Sequence, residues 1–275
     1  MDIDSLRKAQ QDLRERYRKG QGLISDDHRT VYHYVRKPAT TAVLKRLLGH
    51  LHIGTLLDLG AGEGASLDAL SFDRAILIEK DPKLIGKSTD TVTYLNQDFT
   101  RLKEFPPCDL ILASYSLNEV NYAPLLAKCV AATSDLIAII EPGTPEGSLR
   151  ILAIRDALLA LGMHLVAPCP HEKTCPMAWC HFSVRLPRNE EHQQIKQGSL
   201  GHEDEKFAYL IFSKNPHTPT GHRIVRHPKK RTGHEIFTVC TTEGALQEMI
   251  LSKKNPSYKA ARKLSWGDTL DLSNS

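Results

Sequence analysis

The sequence predicts an α/β fold with a parallel sheet, preceded by helices and followed by a cysteine-bearing, basic extension. Three observations carry this. From residue 55 onward, short apolar runs recur between helix-length segments: Thr55–Leu59, Ala75–Ile78, Thr91–Leu95, Leu110–Ala113 and Leu136–Ile140. That alternation is the pattern of parallel strands buried on both faces by crossover helices. A glycine-rich turn, Gly60-Ala61-Gly62-Glu63-Gly64, follows the first run. Beyond residue 168 the composition shifts, first to cysteine, proline and histidine and then to Lys and Arg.

Composition narrows the class. The chain has 275 residues, 41% of them hydrophobic, enough to bury a sizeable core in one large domain or a domain with an appendage. No apolar run approaches the roughly 18 residues of a membrane helix, so a spanning protein is not expected. The acidic start, Met1-Asp2-Ile3-Asp4, lacks the apolar stretch of a secretory signal. Six cysteines are too few for a disulfide scaffold, and clustered ones point to metal or catalysis. The net charge of +4 says little as an average.

The elements follow in order. Residues 1–21 read as a charged helix stopped at Gly20. A second helical region follows the Ser25-Asp26-Asp27 cap signal and carries Val43-Leu44 and Leu47-Leu48 at helical spacing. After the five strands, a helix covers Ser148–Leu161 and ends at Gly162. A sixth strand, His164–Ala167, leads into the cysteine-rich stretch. Residues 189–205 read as a loop. Phe207–Phe212 and Ile236–Val239 are late strands.

The glycine turn is the strongest local signal. A ligand must approach its backbone closely, and the turn is tight. With Ala65 in the last position it also fits a dinucleotide fingerprint. Asp58 favours S-adenosylmethionine instead: a carboxylate at the strand end can face the cofactor's ammonium group but would repel a pyrophosphate. Glu79, about twenty residues on, can take both ribose hydroxyls. Asp98, after the third strand, can accept from the adenine amino group. Three acids at successive strand ends form one cofactor set with Gly60, Gly62 and Gly64. The loop Ser114-Tyr115-Ser116-Leu117-Asn118-Glu119 follows the fourth strand, where ligands of open parallel sheets bind. Ser114 is assigned to the cofactor, and Asn118 and Tyr115 lie nearest the expected acceptor. Ser114 or Ser116 is also expected to cap a helix. No general base or nucleophile is visible, so any catalysis would rest on positioning a sulfonium methyl.

Cys169, Cys175 and Cys180 lie within twelve residues, and Cys240 stands alone in an apolar strand. Three clustered thiols and a distant fourth suggest a four-thiolate site. The spacing matches neither a zinc ribbon nor a ferredoxin run, and leaves zinc and iron–sulfur equally open. His171 and His181 read as outer partners or surface residues, and Cys108 and Cys129 as bystanders. From Lys214 to Lys263 there are eleven Lys or Arg and three acids, a local balance of +8. That is the footprint of a phosphate-backbone partner, with Arg223, Arg226, Lys229, Lys230 and Arg231 as RNA contacts. No base-reading motif is visible, which favours shape or RNA recognition.

Together these residues resemble the ribosomal small-subunit methyltransferase-like family of bacteria and mitochondria. The resemblance runs through Tyr34-Val35-Arg36-Lys37-Pro38-Ala39-Thr40, the Asp58–Gly64 turn, Ser114–Glu119, Glu141-Pro142-Gly143-Thr144-Pro145, Cys169-Pro170-His171, Trp179-Cys180-His181-Phe182, Phe207-Ala208-Tyr209 and Trp266-Gly267-Asp268. It implies a Rossmann-like S-adenosylmethionine-dependent methyltransferase fold. The N-terminal helical region would cover 1–54, the cofactor core 55–168, and the metal-binding, basic extension 169–275. It implies a 4Fe–4S cluster on Cys169, Cys175, Cys180 and Cys240. It implies the small ribosomal subunit or its rRNA as partner, through methylation, assembly or both; a monomer without a membrane partner is expected. The location would be the cytoplasm of a bacterium or the mitochondrion of a eukaryote.

Overall fold

A computed structural model describes residues 2–19 and 21–272. The chain divides into two compact units, Met1–Ser134 with Val184–Glu205, and Asp135–Ser183 with Lys206–Ser275.

The first unit opens with helix α1 (Ile3–Arg18), capped by the Asp2 carboxylate, which accepts the N–H groups of Asp4 and Ser5. Its stop was expected at Gly20, which lies outside the described residues. Leu6, Ala9 and Leu13, spaced along one helical face, pack with Val31, Val35 and Ile195. The predicted cap at Ser25 is present: its hydroxyl accepts the His28 N–H and starts α2 (Asp26–Val31). A π-helical turn (Tyr32–Arg36) and α3 (Lys37–Leu48) follow without a break, with Pro38 at the start of α3 just after the π-turn.

Next come β1 (His52–Leu59), α4 (Ala65–Ala69), β2 (Ser71–Glu79), β3 (Val92–Asn96), β4 (Cys108–Ser114) and α5 (Ala123–Ala132). Each of the four strands contains its predicted apolar run or most of it. β1 pairs parallel with both β2 and β4, and β2 pairs parallel with β3. The resulting order, β3-β2-β1-β4, reverses direction between β1 and β4, which is where open α/β sheets hold ligands. This is the Rossmann-like arrangement the alternation predicts.

In the second unit, β5 (Thr133–Pro142), α6 (Pro145–Ala160) and β6 (His164–Ala167) continue the alternation. Past the cysteine-rich stretch, β7 (Phe182–Pro187) and α7 (Glu190–Lys196) precede β8 (His202–Ser213), which lies antiparallel to β5 and β6 in the order β5-β8-β6. Residues 189–205 are therefore not a loop. The Asn189 side chain accepts the His192 N–H and starts α7. Glu203 accepts from His192 and pairs with Lys196 and Arg188. A segment with few apolar residues is thus ordered by a cap and an ion-pair network, a signal that hydrophobic periodicity does not carry.

The basic extension is a second sheet. It contains β9 (His222–Ile224), β10 (Lys229–Arg231), β11 (His234–Cys240), β12 (Leu246–Ser252) and β13 (Thr269–Leu270), with the short α8 (Tyr258–Ala261) before the last strand. β11 is its spine, antiparallel to β9, β10 and β12. Ile224, Phe237, Val239, Leu251, Tyr258, Ala261 and Leu270 form its core. Among the described residues, no helix is long and apolar enough to cross a membrane.

Candidate functional site

The glycine turn sits at the carboxyl end of β1. Gly60, Gly62 and Gly64 have φ of +76°, +55° and +71°, a region that side chains resist. Gly60 and Ala61 both donate N–H bonds to the Ile78 carbonyl, and Gly62 donates to Glu79 Oε2 at 2.8 Å. The turn is closely packed as well. A Cβ at Gly60 would lie 2.6 Å from Ser116 Cβ, and one at Gly62 would collide with the Tyr32 hydroxyl.

The three predicted acids have different surroundings. Asp58 is 2% exposed. Its Oδ2 accepts from Ser66 Oγ at 2.5 Å, and its Oδ1 is buried without a partner. Burial pushes its pKa up to about 7; the Ser66 bond opposes the rise and the nearby Glu79 adds to it. Glu79 is buried, and its two oxygens accept the N–H groups of Gly62 and Asp81. It therefore braces the turn, with lone pairs still free on each oxygen. Asp98 caps the short turn at Phe99–Arg101, accepting from the Thr100 hydroxyl at 2.6 Å and its N–H at 3.0 Å. The Thr100 hydroxyl holds the Asp98 carboxyl below its usual range.

Beyond β4, Ser114 is half-buried and Tyr115 has φ +58°, uncommon for a residue with a side chain. The Arg36 guanidinium lies over the Tyr115 ring, 5.2 Å from its centroid, and Tyr115 Oη donates to Glu205 Oε1 at 3.4 Å. Arg36 and Glu205 pair at 3.2 Å. Burial works against the Arg36 charge, but Glu205 together with Tyr115, Tyr17 and Tyr32 outweighs it and holds the guanidinium above its ordinary range. Ser116 does not cap a helix, contrary to expectation. The chain makes a 3-10 turn at Leu117–Glu119 with no side-chain cap, and α5 starts only at Ala123. Ser116 Oγ and Asn118 Oδ1 are left buried and unpartnered. Tyr32, Arg36 and Glu205 were not assigned to the site from the sequence. The tyrosine and arginine belong to the π-helical turn, and glutamate 205 is 169 residues from its arginine partner.

In the second unit, the predicted thiols come together. Met177, Val225 and Cys240 pack as a small core, with Cys175 and Cys180 against it. Burial pushes the Cys169 thiol up to about 11 and Cys240 to about 12, and raises Cys180 further; the neighbouring thiols add to each shift. His171 Nε2 lies 3.3 Å from Cys240 Sγ. Arg155, 2% exposed, donates to the carbonyls of His171 and Lys173, and its Nε is buried without a partner. Its charge opposes the rise at Cys169. Among the described residues, no group of three or more His, Cys, Asp or Glu is closed to metal-binding geometry. Cys108 opens β4 and Cys129 lies on α5, both buried in the other unit.

The five predicted RNA contacts differ in availability. Arg223 donates to the carbonyls of Pro168 and Gly267, each at 2.7 Å, so its guanidinium knits backbone together. Arg226 is exposed, with one N–H on the Val225 carbonyl. Lys229, Lys230 and Arg231 form β10, exposed at every position. Lys229 pairs with Glu248 at 3.0 Å, a contact open to solvent on both sides.

The family model described as "Mitochondrial small ribosomal subunit Rsm22" matches residues 27–271. The human "Ribosome assembly protein METTL17, mitochondrial" is 25% identical over 260 residues, covering 79% of this chain and 55% of its own. The "Rsm22-cox11 tandem protein 2, mitochondrial" of Schizosaccharomyces pombe is 28% identical over 217 residues, covering 59% of this chain and 29% of its own. The chain thus spans about half or less of these relatives. A solved structure of a putative RNA methyltransferase from Pyrococcus horikoshii aligns with a TM-score of 0.41 at 18% identity, covering 64% of this chain and 79% of that one.

Proposed function

The chain belongs to the mitochondrial small ribosomal subunit Rsm22 family, and from that premise we propose that it binds S-adenosylmethionine and acts on the small ribosomal subunit during assembly. The observation that carries the cofactor reading is a set of buried polar atoms without partners at the carboxyl ends of β1 and β4: Asp58 Oδ1, Ser116 Oγ and Asn118 Oδ1. Buried polar groups are normally satisfied, so three together point to a ligand that completes them.

A cofactor there would find several groups ready. Asp58 Oδ1 would take the ammonium group, and its carboxylate would be favoured once a positive charge stood beside it. Glu79, already bracing the turn, would accept from ribose hydroxyls, and Asp98 would lie toward the adenine. Ser114 would meet the cofactor, and Asn118 and Tyr115 would line the approach of the acceptor. The cofactor supplies an electrophilic methyl group. The protein's share is to hold an acceptor in line with it.

The four thiols fit a metal group by donor chemistry, since all four are soft sulfur ligands. The buried Arg155 with its unpartnered Nε favours an anionic occupant, which four thiolates around zinc or a 4Fe–4S cluster would be. Of the two, the 4Fe–4S cluster is the one that the family resemblance implies. Such a group would tie the stretch around Cys169–Cys180 to β11 and hold the second sheet in place.

A second reading is a non-catalytic assembly factor, since the sequence assigns no base to the loop after β4. Transfer of a labelled methyl group to immature small subunits separates the two: transfer supports the enzyme, and its absence with retained cofactor binding supports the assembly factor. Calorimetry tests the shared premise. No binding of S-adenosylmethionine, with Gly62→Arg behaving like the wild type, would refute the cofactor site. The location follows the subunit it serves, the mitochondrion in a eukaryote or the cytoplasm in a bacterium.

A further inference from the structure

Trp179, His181, Trp266 and His227 form a continuous aromatic stack in the second unit that the cofactor and thiol sites do not use. The Trp179 and His181 rings are stacked, 4.3 Å between centroids and 18° from parallel. Trp266 meets His181 edge-on at 5.0 Å, and His227 meets Trp266 edge-on at 4.9 Å. Three features separate this group from ordinary core packing. Trp179 is 38% exposed although its indole is fixed, with Nε1 donating to the Gly143 carbonyl at 3.2 Å. Two polar atoms in the stack, His181 Nδ1 and Trp266 Nε1, are buried without partners, and His181 itself is 7% exposed. Cations stand beside it: Lys206 and Arg226 are exposed, and both act electrostatically on the His181 ring.

We infer that Trp179 is a stacking platform for an unpaired nucleobase of RNA, with Lys206 and Arg226 taking the adjoining phosphates. The chemistry matches single-stranded recognition, in which a base stacks on an aromatic face and cations follow the backbone. Rigidity matters as much as exposure. The indole is already held by His181 and Gly143, so little side-chain freedom is lost on binding. This inference rests on the RNA-facing reading of the basic extension and gives it a specific point of contact.

The test uses the full chain, a short single-stranded RNA of mixed sequence, and an abasic strand of equal length and charge. The wild type should bind the base-containing strand about tenfold more tightly, the effect of one stacked base, and tryptophan fluorescence should be quenched only by that strand. Trp179→Leu should bind both strands equally, and Trp179→Tyr should keep most of the preference. Equal binding of the two strands by the wild type would overturn the platform and leave the basic surface standing. An unchanged preference in Trp179→Leu would also overturn it. If neither strand binds, the platform and the RNA-facing reading fail together. Because strand preference and quenching are read on the wild type, a poorly folded Leu variant does not block the test.

Discussion

The Tyr32 hydroxyl occupies the space that any side chain at Gly62 would need. A residue on the π-helical turn therefore reports on the shape of the glycine turn. Gly62→Ala should be destabilising through the left-handed φ of +55° alone, by about 1–2 kcal/mol, and further through the collision. Tyr32→Phe removes the colliding oxygen, but the next ring atom would still stand 2.9 Å from the new methyl. The double variant should accordingly lose less stability than the two single variants added together, a coupling that denaturant unfolding measures.

Asp58 makes a pH prediction. Its pKa in the fold, about 7, lies above the unfolded carboxylate value. A raised carboxyl pKa means that the fold prefers the protonated form. The Asp58 contribution is therefore fully retained below about pH 4 and is lost as pH rises to about 7. The loss is of order 4 kcal/mol at most, from three pH units. Asp58→Asn should flatten the stability profile across that window in urea titrations. Added S-adenosylmethionine should stabilise the wild type more at pH 8 than at pH 5, since only the carboxylate attracts an ammonium group.

Arg36, Glu205 and Tyr115 should behave as one unit. Arg36→Met leaves the buried Glu205 carboxylate without its charge partner, and Glu205→Gln does the reverse to Arg36. A coupling of about 0.5–3 kcal/mol is expected from the double-mutant cycle. If the trio also positions the loop after β4, both variants should weaken S-adenosylmethionine binding in calorimetry without contacting the cofactor.

The thiol site predicts a metal-dependent fold for the second sheet. Protein purified without oxygen should carry iron and sulfide and absorb in the visible range; a colourless, zinc-loaded protein would refute the cluster. Cys175→Ser should lower both metal content and melting temperature, because Cys240 on β11 would link the two segments. Unchanged thermal unfolding would reject that link.

Charge reversal should separate architecture from recognition. Arg223→Ala removes two carbonyl contacts and should lower the melting temperature. Lys230→Glu and Arg231→Glu, on the exposed β10, should leave stability within about 0.5 kcal/mol. They should instead weaken RNA binding and reduce its salt dependence, by about one unit of log–log slope per lost phosphate contact.

The strand–glycine–helix segment at Thr55–Ala69 and the sixth strand at His164–Ala167 were legible because their signals are local. Apolar run lengths and tolerance of positive φ are properties of neighbouring residues. Residues 189–205 were misread for the same reason: α7 rests on the Asn189 cap and the Glu203 ion pairs, and Ile195 is buried against α1. The +8 stretch read as a charged surface with one late strand, yet β11 buries Phe237 and Val239, and Glu235 with them, and closes a core of its own.

By itself the sequence determined where the chain turns, which segments become the parallel strands, and which residue types could meet a cofactor, a metal or RNA. The tertiary structure decided which of them meet. It put Glu205 beside Arg36 and Tyr115, left Asp58 Oδ1, Ser116 Oγ and Asn118 Oδ1 without partners, and turned Arg223 inward onto two carbonyls. The physical reason is range. Propensity and periodicity act over a few residues, whereas burial, desolvation and charge pairing depend on neighbours that only the folded topology supplies.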